Sequence, residues 1–195
     1  MRTRSKVLAV FAIVLLLPVL GATAFWIVIS FQQFPSLEPY REQYGHQALL
    51  EKVASMTPEP EGFSFAVLGD TRSNVYVGEM VFSQVANEKP ALVFDTGDLI
   101  HHGTAEEYIE EHIPLVKLVA PAPVFCVAGN HDRGPYRNFA AYKALYGSER
   151  FSFDYGPCRF VGFNASEKIR VTGSELRFLE QELSKPGATY KFVFF

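Results

Sequence analysis

The chain has 195 residues, 48% hydrophobic, 20% charged and 14% aromatic, a composition that excludes a disordered tail, a collagen-like repeat and a coiled coil. Eighteen Lys and Arg stand against 21 Asp and Glu, and because Arg2, Arg4 and Lys6 fall in the first six residues, the remainder carries 15 against 21. So acidic a body lacks the clustered basic face that a nucleic-acid backbone requires, and two cysteines are too few for a disulfide scaffold and lack zinc-site spacing.

Residues 1–6 carry the three cations, and residues 7–29 are apolar except for Pro18, Gly21 and Thr23. At 1.5 Å per residue, about 20 apolar residues cross a bilayer core, so this run predicts a transmembrane helix or signal anchor. No charge occurs between Lys6 and Glu38, and the basic flank predicts a single pass with the N-terminus in the cytoplasm. Ala22-Thr23-Ala24 also has the small-x-small form that signal peptidase reads, and cleavage after Ala24 is the competing reading. Trp26 and Phe31, placed where interfacial aromatics sit, favour an uncleaved anchor. Either reading exports the body to a periplasmic or extracellular location.

Residues 30–61 read as a spacer with Pro35, Pro39, Pro58 and Pro60 around one helix, 42–56, on which Ala48, Leu49, Val53 and Met56 fall at near-helical spacing. His46 on that helix is expected to be solvated. From residue 62 to 195 the pattern alternates as one domain. Strands are predicted at 63–68, 91–94 and 124–127, and helices at 79–87, 104–118 (interrupted by Pro114) and 136–146. Three βα units in a row imply parallel strands, with a ligand site beyond their carboxyl ends. A hairpin of 151–155 and 159–164 around Gly156-Pro157 follows, then a helix at 174–183 and a strand at 190–195. Cys126 and Cys158 fall in strands and read as buried free thiols, a disulfide being the alternative that export permits. His112, among acidic residues, is expected to be solvated.

Each of the first three strands ends in Gly followed by Asp or Asn: Gly69-Asp70, Gly97-Asp98 and Gly129-Asn130-His131-Asp132. A single Asp after a strand is an ordinary helix cap, but three such turns deliver hard oxygen ligands and an imidazole to one sheet edge. A pair of divalent cations there would lower the pKa of a shared water and clamp the attacking and leaving oxygens of a phosphoryl group. No Gly-x-Ser-x-Gly elbow occurs, which disfavours Ser-His-Asp acyl transfer, and no Gly-x-x-x-x-Gly-Lys-[Ser/Thr] loop occurs, which removes P-loop nucleotide hydrolysis.

Gly69-Asp70-Thr-Arg72, Gly97-Asp98-Leu and Gly129-Asn130-His131-Asp132 resemble the first three motifs of the calcineurin-like metallophosphoesterases, and the similarity runs over residues 62–195. The hairpin and following helix resemble those of the family's exported bacterial members. The resemblance implies an α/β fold, a four-layer αββα sandwich, and two divalent metal ions for which Mn, Fe and Zn are the candidates. It implies hydrolysis of phosphate mono- or diesters by attack of a metal-bound hydroxide. Asp70 would bind the first metal, Asp98 bridge both and Asn130 bind the second. His131 would contact the phosphate and assist the leaving group, with Asp132 orienting its ring.

Two departures stand out. Arg72 occupies the position of a family histidine; a guanidinium cannot ligate a metal but can grip a phosphate oxygen, and a plain surface arginine is the alternative. His101, three residues after Asp98, sits where purple acid phosphatases of the same superfamily carry a Tyr ligand. It is a candidate replacement ligand, or else half of a solvated pair with His102. The family's further metal histidines follow the next strand, whereas no His follows His131 here and the sequence stops within a strand at Phe195, so a C-terminally truncated fold is expected. Both departures favour a second function, that of a truncated or degenerate pseudo-enzyme with a binding or regulatory role.

Overall fold

The computed structural model describes residues 34–166 and 173–195. The expected membrane segment, 7–29, lies outside them, and no helix among the described residues is long and apolar enough to cross a membrane.

A short 3-10 turn, Pro35–Leu37, leads into α1 (Glu38–Tyr44) and α2 (His46–Ser55). One helix was expected here; Gly45, extended at ψ 147°, divides it into two. Leu37, Tyr44, Leu49 and Val53 are buried, so this part of the expected spacer is packed into the body.

Three parallel strands, β1 (Phe65–Leu68), β2 (Leu92–Asp95) and β3 (Val124–Cys126), pair in that order, as the βα repeats imply. Helix α3 (Val75–Glu88) starts earlier than periodicity suggests because the Asn74 side chain accepts the Val77 N–H and caps it. Between β2 and β3, Thr104 and Glu107 form a reciprocal capping box that starts α4 (Ala105–Glu107). A π-helical turn, Tyr108–His112, and α5 (Ile113–Leu118) continue it. Pro114 supplies no N–H to the preceding turn, which is a physical reason for regular α winding to fail there. Helix α6 (Ala140–Tyr146) begins after a loop in which Arg137 and Phe139 take positive φ, so it is shorter than the predicted 136–146.

The second sheet holds β4 (Arg150–Tyr155) antiparallel to β5 (Cys158–Phe163), and β6 (Tyr190–Phe194) parallel to β5. Alternation along β2 decides the packing. Leu92 and Phe94 face the second sheet, where Phe94 stacks on Phe194 at 4.2 Å and on Phe160 at 4.9 Å, while Phe125 stacks on Phe153 at 4.4 Å. Val93, Val124 and Cys126 face the helices, against Phe82, Leu115 and Tyr142. On the outer side of the second sheet lies α7 (Ser174–Ser184). Arg159 on β5 ties it down, pairing with Asp154 through two bonds of 2.7 Å and donating to the carbonyls of Glu182, Lys185 and Pro186 at the helix end. Helix, sheet, sheet and helix thus follow in the expected layer order.

Both helix histidines correct the sequence reading. His46 is buried, its Nδ1 3.0 Å from the Ser148 carbonyl and its Nε2 3.1 Å from the Cys126 carbonyl. His112 is fully buried, with Nε2 2.5 Å from the Tyr146 hydroxyl and Nδ1 without a hydrogen-bond partner. Cys126 and Cys158 are free and buried, as expected. Burial disfavours the imidazolium and lowers the pKa of His46 to about 4 and that of His112 to about 3. An unfolded histidine protonates near 6.5, so the contribution of each is fully present above that pH and is lost as pH falls toward the folded value. Each contributes a slope of about 1.4 kcal/mol per pH unit in that window. His112→Gln removes one titration: between pH 6.5 and 5, its stability by urea unfolding falls less steeply than wild type's by about that amount. Equal slopes would contradict the assignment.

Candidate active site

The three turns that follow β1, β2 and β3 meet at one edge of the parallel sheet. Asp70 donates its N–H to the Gly97 carbonyl at 2.9 Å, and Arg72 donates its N–H to the Asp98 carbonyl at 3.2 Å. Asp70 and Asp98 both sit in the left-handed region, with φ of 54° and 55°. That region costs an L-residue roughly 1–2 kcal/mol, and such outliers concentrate where a side chain must be aimed. Glycine permits the close approach: a Cβ at Gly129 would lie 2.1 Å from the Asp98 nitrogen, and Gly97 itself needs a φ of 108°. Asp70, Asp98 and Asn130 consequently line one open cleft of about 620 Å³, together with Ser166 and Phe195.

Arg72 reaches between the two carboxylates. Its Nε is 3.1 Å from Asp70 Oδ1 and 3.3 Å from Asp98 Oδ2, while Asp98 Oδ1 accepts the His131 backbone N–H at 2.9 Å. His101 Nδ1 lies 2.9 Å from Ser73 Oγ and 3.4 Å from Arg72 Nη1; a guanidinium only donates, so this nitrogen is the acceptor. His131 Nδ1 sits 2.8 Å from the His101 carbonyl, which makes Nδ1 the protonated nitrogen and fixes the ring. His101 and His131 line a second pocket of about 460 Å³, which meets the cleft at Asn130.

Asp132 has a different task from the one expected. It is fully buried, and the His131 ring is held by a carbonyl instead. Asp132 Oδ2 accepts the N–H groups of Gly129 at 2.7 Å, Asp98 at 3.0 Å and Leu99 at 3.4 Å, and Oδ1 accepts the Tyr108 hydroxyl at 2.9 Å. Burial raises its pKa to about 6, aided by the Asp98 charge and opposed by the Gly129, Tyr108 and Leu99 donors. Sequence reasoning missed Asp95 and Tyr108. Asp95, fully buried at the end of β2, accepts the Gly97 N–H at 3.2 Å, and burial raises its pKa well above the usual carboxylate range. An Asp two residues before a Gly is a recognisable turn signal; nothing local marks Tyr108. Asp132→Ala strands three amides and a phenol and is expected to cost about 3 kcal/mol or more. Asp132→Asn, which can still accept the amides, should cost about 1 kcal/mol, and urea unfolding of the two variants checks the difference.

Among the described residues, no three His, Cys, Asp or Glu side chains form a metal-binding group. Among the described residues, the cleft offers the carboxylates of Asp70 and Asp98 and the side-chain amide of Asn130, with the hydroxyls of Thr96 and Ser166 also in its lining. Within those residues, this oxygen set fits one hard divalent cation whose coordination solvent completes.

Residues 63–185 match the family described as calcineurin-like phosphoesterase. An uncharacterized metallophosphoesterase of Bacillus subtilis, YkuE, is 32% identical over 116 residues, covering 57% of this chain and 40% of that protein. A probable glycerophosphodiester phosphodiesterase of Arcobacter nitrofigilis, GpdQ, is 32% identical over 108 residues, covering 50% of this chain and 38% of that one. The chain thus spans about two fifths of the length of these curated relatives. Among solved structures, the purple acid phosphatase PPD1 of yellow lupin superposes with a TM-score of 0.57 at 16% identity, over 70% of this chain and 31% of the lupin chain, a likeness of fold alone. Three strand-end turns on one cleft, in a match that covers more than half of the sequence, establish that the chain belongs to the calcineurin-like phosphoesterase family.

Proposed function

We propose that this chain carries the strand-end half of a metal-dependent phosphoesterase acting on phosphate mono- or diesters. The observation that carries this reading is the convergence of Asp70, Asp98 and Asn130 on one cleft from three adjacent parallel strands. Asp70, Asp98 and Asn130 would hold the divalent cation, and it would supply Lewis acidity and an activated water. Arg72, between Asp70 and Asp98, is placed to take a phosphate oxygen with a planar N–H fork. Its contact with both carboxylates keeps the guanidinium at the cleft before any substrate arrives. His131 presents Nε2 because Nδ1 is committed to the His101 carbonyl, so in the doubly protonated ring Nε2 is the atom from which a proton would pass to the leaving oxygen. Asp132 acts upon the backbone that aims Asp98, as a positioning group rather than as a proton carrier.

One observation favours the second reading, a pseudo-enzyme with a binding or regulatory role: Arg72 pairs with both carboxylates, as a resident cation would. For residues 7–29 we propose a single-pass anchor with the N-terminus in the cytoplasm and the body exported, on the strength of the apolar run and its basic flank.

Three measurements test these proposals. With Mn²⁺, Asp98→Asn should weaken metal binding by about tenfold or more in calorimetry; in a version extended to the length of its relatives it should also remove turnover of bis-p-nitrophenyl phosphate, whereas His131→Ala should keep the metal and slow turnover by roughly 10²–10⁴. Unchanged Mn²⁺ affinity in Asp98→Asn contradicts the metal assignment; turnover that appears only in Arg72→His assigns the chain to the second reading. A reporter fused after Pro60 that folds only upon export should be active, and cytoplasmic reporter activity there would contradict the topology.

A further inference from the structure

The pocket that meets the cleft at Asn130 differs from the rest of an acidic chain. His101, His102, His131, Arg133 and Arg137 line it, together with small or neutral residues, and no carboxylate does. Glu107, which pairs with the lining residue His102 at 2.7 Å from its Nδ1, is already engaged there and in its own capping box, and Asp132 is buried and satisfied by backbone amides and the Tyr108 hydroxyl. Arg137 is exposed and has no ion-pair partner among the described residues.

The pocket is built rather than incidental. Arg133 donates Nε–H to the Asn130 carbonyl at 2.6 Å, while its own carbonyl accepts the N–H groups of Asn138 and Phe139 at 3.1 and 3.0 Å. Phe139 is buried and anchors the loop to the helix layer. Arg137 donates its N–H to the Gly134 carbonyl at 3.1 Å. Gly134 in turn packs so closely on Gly103 that a Cβ there would lie 2.2 Å from the Gly134 nitrogen. The two guanidinium groups are thus carried on a loop held by its own backbone hydrogen bonds and the Phe139 anchor, which lowers the entropy cost of binding an anion.

We propose that this pocket is a subsite for a second phosphate group, carried on the leaving side of the substrate. The proposal rests on the phosphoesterase reading, because that reading sets the scissile phosphate in the cleft and His131 on the leaving side. A leaving group that departs past His131 enters a pocket whose charged groups are two arginines, the side chains best matched to the oxygens of a phosphate. The substrate class is a small molecule with two phosphate groups. A polynucleotide is disfavoured, since a strand would need a basic track continuing along the surface and the chain outside residues 1–6 is net acidic.

The test uses the full chain with saturating Mn²⁺ and two probes, alkane bisphosphonates of increasing length and the monophosphonates of matching length, titrated by calorimetry. At its best length the bisphosphonate is expected to bind about tenfold or more tighter than its monophosphonate. Arg137→Gln should narrow that ratio about tenfold, and Arg133→Gln in the same direction. A wild-type ratio near one, or a ratio that survives in the double variant, overturns the proposal. Asp98→Asn separates the two levels of the argument: if monophosphonate affinity is unchanged in that variant, the metal-cleft reading fails, whereas the arginine dependence of the ratio reports on the pocket alone.

Discussion

One buried carboxylate sets the geometry on which the rest of the site depends. Asp132 collects amides from the turn after β2 and the turn after β3, and it also receives the Tyr108 hydroxyl from the π-helical turn in the helix layer. A buried carboxylate is tolerable only where donors surround it, and here the donors are the backbone groups whose placement decides where Asp98 points. Asp98 and its neighbour Asp70 can then remain left-handed, a conformation that isolated turns would leave. Asp95 repeats the device one layer below, holding Gly97 from inside the sheet.

The aromatic interior between the sheets gives this arrangement a rigid base. Phe94 lies directly before Asp95, and its ring is stacked on the second sheet, so β2 cannot slide without breaking that contact. A slip of one residue along β2 would exchange Phe94 with Asp95 between the two faces, placing a carboxylate among phenyl rings. The core and the site are therefore fixed by the same register.

Much of this was legible in the sequence. Strand ends are marked by glycine, and Asp70, Asp98 and Asn130 each follow one, so their common edge could be read from the βα repeat alone. What could not be read was burial created by distant chain. His46 looks like a polar residue on an amphipathic helix, yet its carbonyl partners lie 80 and 102 residues away in sequence. His112 has acidic neighbours along the chain but Tyr146 and Cys126 in space. The same limit hid the work of Asp132, whose motif position suggested a partner for the His131 ring and whose partners are amides of its own turn and of the turn after β2, with the Tyr108 hydroxyl. Helix limits shifted for local reasons, with Asn74 extending α3 and Gly45 dividing the helix before β1.

The departure that matters most for chemistry is Arg72. A guanidinium between two aspartates offsets part of their charge, as a cation would, and it is also a ready phosphate grip. These roles differ in what happens when metal arrives: a phosphate grip must yield the space between Asp70 and Asp98, whereas a resident cation keeps it. The most direct measurement is anomalous diffraction from crystals of the chain soaked in Mn²⁺. The account predicts an anomalous peak within coordinating distance of Asp70, Asp98 and Asn130, with the Arg72 guanidinium moved off the carboxylates. Saturating Mn²⁺ with no peak there, and Arg72 still bridging Asp70 and Asp98, would contradict it.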